Sequence, residues 1–416
     1  MGRPAAVAGE KQLSSGRRSM LVTTIAARDG GVPTMLRFAL PLLRRLGWET
    51  HLAYYEPYSQ SRALSVPLQA LGRRNVGVRR DSGIDGTPAT AVGAWLPELE
   101  FTHYRPTRHW RTLIDSHEAH LVISGTAVAG DALTSLGRPF VAWIATDLDG
   151  DRRDRVAGFP WHRRALDAAL NRHMLRRIER RVLSQGRVLA LSQYTRRALN
   201  KQAGMEVVRD VLPSPVDTNL FKPADGTVVP GRIGFSGRLD DPRKNLMLLL
   251  DAFQDLLSAN PAAELHLIGY RPGTGVEAQI RARGIDRQTY LQPYVAHTEL
   301  PKLLNTLDVF VVPSHQEGLC LAGLEAMACG VPVVSTRCGG PEEFVLDGET
   351  GYLTESTPQA LSSALSQIVS NRGLRGKLSK GANNLVQRSY SLPSAEGILT
   401  RALLSEFSSL SGRSHT

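Results

Sequence analysis

Cysteine is scarce in this chain, aromatic residues are few, and no long apolar run occurs; each shortage removes a class of protein. The three cysteines, Cys320, Cys329 and Cys338, are odd in number and nine residues apart. That pattern fits neither a disulfide framework nor a zinc knuckle, and it suits a reducing, cytoplasmic compartment. No apolar stretch approaches the roughly 20 residues that a membrane-crossing helix needs, so any membrane contact is expected to be peripheral, on the inner face. Residues 1–18 hold basic residues, serines and glycines without the apolar segment of a signal peptide, and read as a disordered N terminus. Aromatics make up 6% of the chain and are not interleaved with the arginines. Single-strand readers need that interleaving, so nucleic acid is not expected as a partner.

What is abundant is positive charge, and it is unevenly placed. The net charge is +11; residues 1–222 hold 33 Lys and Arg against 20 Asp and Glu, and residues 223–416 hold 17 against 19. A basic first half suits an anionic surface, an acidic acceptor or merely solvated helix faces. The 416 residues suffice for two cores. Short apolar segments alternate with amphipathic ones, which predicts an α/β fold with parallel sheets. Expected strands are Leu21–Ala27, Glu49–Tyr55, Leu121–Ser124, Phe140–Thr146 and Arg187–Ser192, then Arg232–Ser236, Glu264–Gly269, Tyr290–Val295, Leu307–Val312 and Val331–Ser335. Glu56–Glu100, rich in Pro, Gly and Arg, reads as loops that face an acceptor. The divisions are a first domain over 19–222, a linker over 223–231, a second domain over 232–390, and a C-terminal segment, 391–416, with a helix over Glu396–Ser409.

The densest information lies in Pro313–Leu353. An apolar strand delivers a loop holding Glu317, a helix over Ala322–Cys329 holding Glu325, a second strand, and then Gly339-Gly340-Pro341-Glu342-Glu343, a glycine turn opening another helix. Free N–H groups and the positive dipole end at such helix starts attract anions such as phosphate. Upstream, Gly237-Arg238 and Lys244 place a planar fork of donors and a mobile point charge after one strand, a suitable pair for a diphosphate.

The string from the glutamate pair through Gly339–Glu343 to Asp347–Gly351 resembles the nucleotide-sugar site of the retaining family 4 glycosyltransferases. The resemblance implies the GT-B fold, two facing Rossmann-like domains with a deep cleft between them, and a C-terminal helix that crosses back onto the first domain. It implies a hexose-type donor, a UDP- or GDP-linked sugar serving as co-substrate, with no cofactor, no metal site and a glycan, lipid-linked or small-molecule acceptor. Arg238 and Lys244 would hold the diphosphate, Glu325 the ribose and Glu317 the transferred sugar. Gly30 and Gly31, with Gly237, Leu319, Cys320 and Leu321, would line the donor site. Three positions depart from the family: Cys320 replaces a glycine, Ser214-Pro215 an Asn-Gly pair, and Thr146-Asp147 a cleft histidine. Asp147 is the candidate for the catalytic contact that the histidine would make.

Other readings compete at several places. His117-Glu118-Ala119-His120 has the wrong spacing for H-E-x-x-H zinc binding, so a surface helix end suits it better. The acidic run Asp147–Asp151 lacks the glycine and glutamate of a calcium loop, since Arg152 and Gly158 occupy those places. Gly273–Ala278 imitates a dinucleotide fingerprint without the acidic ribose ligand downstream. Two further function classes therefore stand beside the transferase: a non-catalytic sugar-nucleotide or anionic-surface binding protein, and a nicotinamide-dependent dehydrogenase. Finally, the helix Arg163–Leu183 carries Arg172, Arg176, Arg177, Arg180 and Arg181 opposite an apolar stripe. That face is expected to meet anionic lipid or an acidic acceptor, unless it is only a solvated surface.

Overall fold

The computed structural model describes residues 18–26, 31–273 and 275–408. The N-terminal segment 1–17 and Gly30 lie outside the described residues, as does Thr274 in the fingerprint-like run.

Two sheets carry the chain. The first contains β1 (Arg18–Ile25), β2 (Trp48–Tyr55), β3 (Val78–Asp81), β4 (Ala89–Val92), β5 (Ala119–Ser124), β6 (Val141–Ile144), β7 (Arg187–Ala190) and β8 (Asp210–Val211). They are ordered β3-β4-β2-β1-β5-β6-β7-β8, parallel except where β3 runs against β4. The second contains β9 (Arg232–Ser236), β10 (Glu264–Tyr270), β11 (Thr289–Pro293), β12 (Val309–Val312), β13 (Val333–Thr336) and β14 (Gly351–Thr354), ordered β11-β10-β9-β12-β13-β14 and parallel throughout. Helices cover both faces, so β5, β6, β12 and β13 are buried along their whole lengths. This is why they appear in sequence as continuous apolar runs rather than alternating ones.

The stretch expected to be loops, 56–100, holds the strand pair β3 and β4. Ala89–Val92 is buried and would have shown as apolar, but it is only four residues long, and all of β3 is exposed, as an edge strand can be. The helix expected from Gly340 shrinks to a single 3₁₀ turn, Gly340–Glu343, because the chain must return at once to the buried turn before β14. The long basic helix is one run from Trp161 to Gln185, with a π-helical turn at Asp167–Asn171.

Both sheets reverse strand order at their centres, between β1 and β5 and between β9 and β12. Loops leaving the carboxyl ends at such a point diverge and open a crevice, which is where ligands of open α/β sheets bind. After the second domain, a helix over Leu392–Glu406 packs back on the first. The Phe407 ring meets Trp48 edge-on at 6.3 Å, and Arg187 donates to the Ser405 hydroxyl at 2.7 Å.

Candidate active site

β9 and β12 pair directly, Val309 beside Ile233, so the loops that follow them emerge as neighbours. One brings Gly237–Lys244 and the other Pro313–Glu317. Lys244 Nζ consequently lies 2.7 Å from Glu317 Oε1, although 73 residues separate them in sequence. Ser314 donates to the same oxygen at 2.7 Å. Burial works against the Lys244 charge, yet the facing Glu317 outweighs it and holds the amine above its ordinary range. Arg238 is 61% exposed at its side chain and pairs with Asp241, which also takes Arg243 at 2.8 Å. Burial would push the Asp241 carboxyl up, but the hydrogen bond and charge of Arg243, with Arg238 behind them, bring it down to about 2.

Glu325 lies within the helix Leu321–Ala328, its side chain only 8% exposed, and accepts from His297 Nε2 at 2.8 Å. That bond, foremost, raises the pKa of His297. The His297 ring also packs against Phe221, centroids 4.9 Å apart. Glu317 is itself pinned by its backbone: its N–H donates to Cys338 at 2.7 Å, and its carbonyl accepts from Gly340 at 2.9 Å. This crossing explains the glycine pair. Gly339 has φ +106°, and a Cβ there would stand 2.8 Å from the Glu317 carbonyl; at Gly340 a Cβ would sit 2.5 Å from Leu319 Cα. No side chain fits either place.

Cys320 begins the Leu321–Ala328 helix in a left-handed conformation, φ +70° and ψ +71°, which L side chains seldom adopt. The thiol is buried, and burial, then the neighbouring Glu317 charge, push its pKa well up. The backbone thus has the shape a glycine would favour, and a thiol occupies it. Leu319 is buried in the core. Leu321 is half-buried beside it.

From the first domain, Gly31 opens the helix Gly31–Arg45 after β1, with open space where a Cβ would stand. Asp147 follows β6, but its carboxylate caps the helix Leu148–Ala157 by accepting from the Gly150 N–H at 3.0 Å. Both Asp147 Oδ1 and Gln316 Nε2 lie 2.8 Å from where a Gly150 Cβ would be, so Asp147 faces the loop holding Glu317. A cleft of about 570 Å³ opens there, lined by Asp147, Arg152, Tyr194, Lys201 and Gln316 among others. The domains touch beside it, the Tyr194 N–H donating to Glu343 at 2.7 Å.

The structure thus gathers Lys244, Glu317, Cys320 and Arg238 at one end of the second sheet, with Glu325 in the helix that follows. Sequence reasoning passed over His297, Ser314 and Asp241. Asp241 stands between Arg238 and Lys244 and could have been taken from that spacing, while only the fold brings His297 to Glu325. The basic helix is also changed. Arg172 and Arg176 both bind Asp149, at 3.3 and 2.6 Å, Arg181 pairs with the buried Asp131, and Arg180 donates to the Gln202 carbonyl at 3.0 Å. Much of that face is therefore engaged within the molecule.

Residues 229–385 match the family described as glycosyl transferases group 1. Among curated proteins, a D-inositol 3-phosphate glycosyltransferase of Geodermatophilus obscurus is 37% identical over 194 residues, covering 41% of this chain and 42% of that protein. One of Acidothermus cellulolyticus is 31% identical over 209 residues, covering 45% and 46%. The chain therefore matches less than half the length of these relatives. Among solved structures, Anabaena HepE in complex with UDP superposes with a TM-score of 0.69 at 17% identity, covering 93% of this chain and 100% of that one. Sucrose-phosphate synthase from Thermosynechococcus elongatus gives 0.67 at 18%, covering 94% and 100%. The chain has the GT-B fold, and its second domain is a group 1 glycosyltransferase domain.

Proposed function

We propose that the protein moves a hexose-type sugar from a UDP- or GDP-linked donor to a glycan, lipid-linked or small-molecule acceptor, with retention at the anomeric carbon. The observation that carries this reading is the 2.7 Å contact of Lys244 with Glu317 at the strand-order reversal of a group 1 domain. Bond cleavage leaves negative charge on the β-phosphate, and donors fixed in advance stabilise that charge most in the transition state. Arg238 and Lys244 supply positive charge there, the backbone N–H groups at the start of the Leu321–Ala328 helix add to it, and no further cofactor is invoked. Glu317 orients Lys244 and takes hydroxyls of the transferred sugar, while Glu325 takes the ribose. HepE has been solved with UDP and with UDP-glucose, which makes UDP-glucose the first donor to test. Lys244→Ala is expected to cut donor turnover by about 10²–10³, the usual loss when one preorganised donor to a developing oxyanion is removed. Turnover near wild type would overturn the assignment.

One observation favours a second reading, a sugar-nucleotide binding protein without transferase activity. The Asp147 carboxylate caps a helix rather than standing free, and Thr146–Asp147 is where the family keeps a histidine. Release of nucleoside diphosphate from the donor separates the two readings, since a binder would give none with any acceptor.

A further inference from the structure

The chain has five tryptophans. Trp48, Trp110 and Trp143 are buried and Trp95 is half-buried, whereas Trp161 is 80% exposed. It starts the run Trp161–Leu170, in which every residue except Leu166 and Asp167 is exposed, including Ala165, Ala168, Ala169 and Leu170. His162, Arg163 and Arg164 stand among them, and no carboxylate among the described residues pairs with either arginine. The nearest acid in the run, Asp167, is buried and turned inward onto Arg152. Arg163 lies over the Phe159 ring, 4.6 Å from its centroid, but globular packing does not account for an indole, a leucine and three alanines facing water beside two arginines that have no acidic partner among the described residues. A bilayer surface does: indole rings settle at the headgroup level, and basic side chains meet anionic headgroups.

We propose that Trp161–Leu170 is an interfacial anchor that seats the protein on an anionic bilayer. Of the arginines further along the helix, Arg172 and Arg176 are engaged by Asp149, Arg181 by Asp131 and Arg180 by the Gln202 carbonyl, which leaves Arg177 there and concentrates the docking charge at this end of the helix. Arg152 and Asp167 tie the anchor to the helix Leu148–Ala157 that Asp147 caps, on the side where the first domain meets the second. Anchoring therefore holds the cleft beside the membrane, where a lipid-linked acceptor would present its headgroup.

Trp161 reports on this directly. Vesicles of phosphatidylglycerol and phosphatidylcholine at low salt should shift its emission to the blue and cosediment the protein, whereas pure phosphatidylcholine should do neither. Arg163→Glu with Arg164→Glu should weaken vesicle affinity by roughly 30-fold or more, at about 1 kcal/mol per basic side chain near an anionic surface. The effect should fade with salt. The proposal is overturned if the protein ignores anionic vesicles at low salt, or binds them with Trp161 emission unchanged. It is equally overturned if Arg177→Glu with Arg180→Glu abolishes binding and the 163/164 pair does not. A blue shift caused by a soluble neutral oligosaccharide and not by vesicles would make Trp161 a sugar-stacking residue instead.

Discussion

Two carboxylates eight residues apart meet different partners, and that difference should be measurable. Glu317 faces Lys244 and Ser314, whereas Glu325 faces His297 from inside a helix. Glu325→Gln is expected to weaken nucleoside diphosphate and nucleotide sugar alike, because both contain ribose. Glu317→Gln is expected to weaken only the nucleotide sugar. Calorimetry with the two ligands checks this, and equal losses for both variants would mean the roles are misassigned. Cys320 gives a separate residue-scale outcome. Its left-handed backbone costs roughly 1–2 kcal/mol that glycine would not incur, while losing the buried thiol costs an amount of the same order. Cys320→Gly should therefore leave stability within about 1 kcal/mol of wild type while changing selectivity among donor sugars. Denaturant titration and relative kcat/KM for several donors read the two effects independently.

Among the helices, the one over Arg172–Gln185 stores an ionisable group where none is expected. Glu179 is completely buried; its Oε1 accepts the Leu148 N–H at 3.1 Å, and its Oε2 has no hydrogen-bond partner among the described residues. Burial, then the nearby Asp147 charge, push its carboxyl up to about 8. An ordinary glutamate loses its proton near 4.5. Between those values the folded chain keeps a proton that the unfolded chain has released. Stability must then fall as pH rises across that window, by up to about 1.4 kcal/mol per pH unit from this group. Glu179→Gln removes the slope, so the variant should gain on wild type steadily from pH 5 to pH 8 in denaturant midpoints. A constant difference over that range would show that Glu179 is ionised in the folded protein.

The whole molecule depends on the helix Leu392–Glu406, because the polypeptide passes from the second domain back to the first there. Phe407, 4% exposed, closes on Trp48, and Glu396 reaches Arg45 across the domains. The salt bridge is exposed and contributes little; the ring is the larger contribution. Phe407→Ala should cost about 3–5 kcal/mol, the usual loss for a buried phenylalanine. The signal should come from the first domain, and Trp48 fluorescence followed against denaturant would locate it there. Unfolding at the wild-type midpoint would mean the helix is only draped on that surface.

The sequence by itself determined the α/β character and most of the buried strands, because these depend on local patterns: apolar runs, glycine turns and short-range spacing. Glu317, Glu325, Arg238 and Lys244 were singled out by the resemblance of the stretches that hold them to a known family. Only the tertiary structure decided what spans distance. The pairing of β9 with β12 puts Lys244 against Glu317, and the loop after β11 brings His297 to Glu325. The fate of the arginines was equally hidden, since a basic stripe looks the same in sequence whether solvent or Asp149 and Asp131 receive it. Charge pairing depends on which surfaces fold together, and a linear pattern records only what each residue could offer.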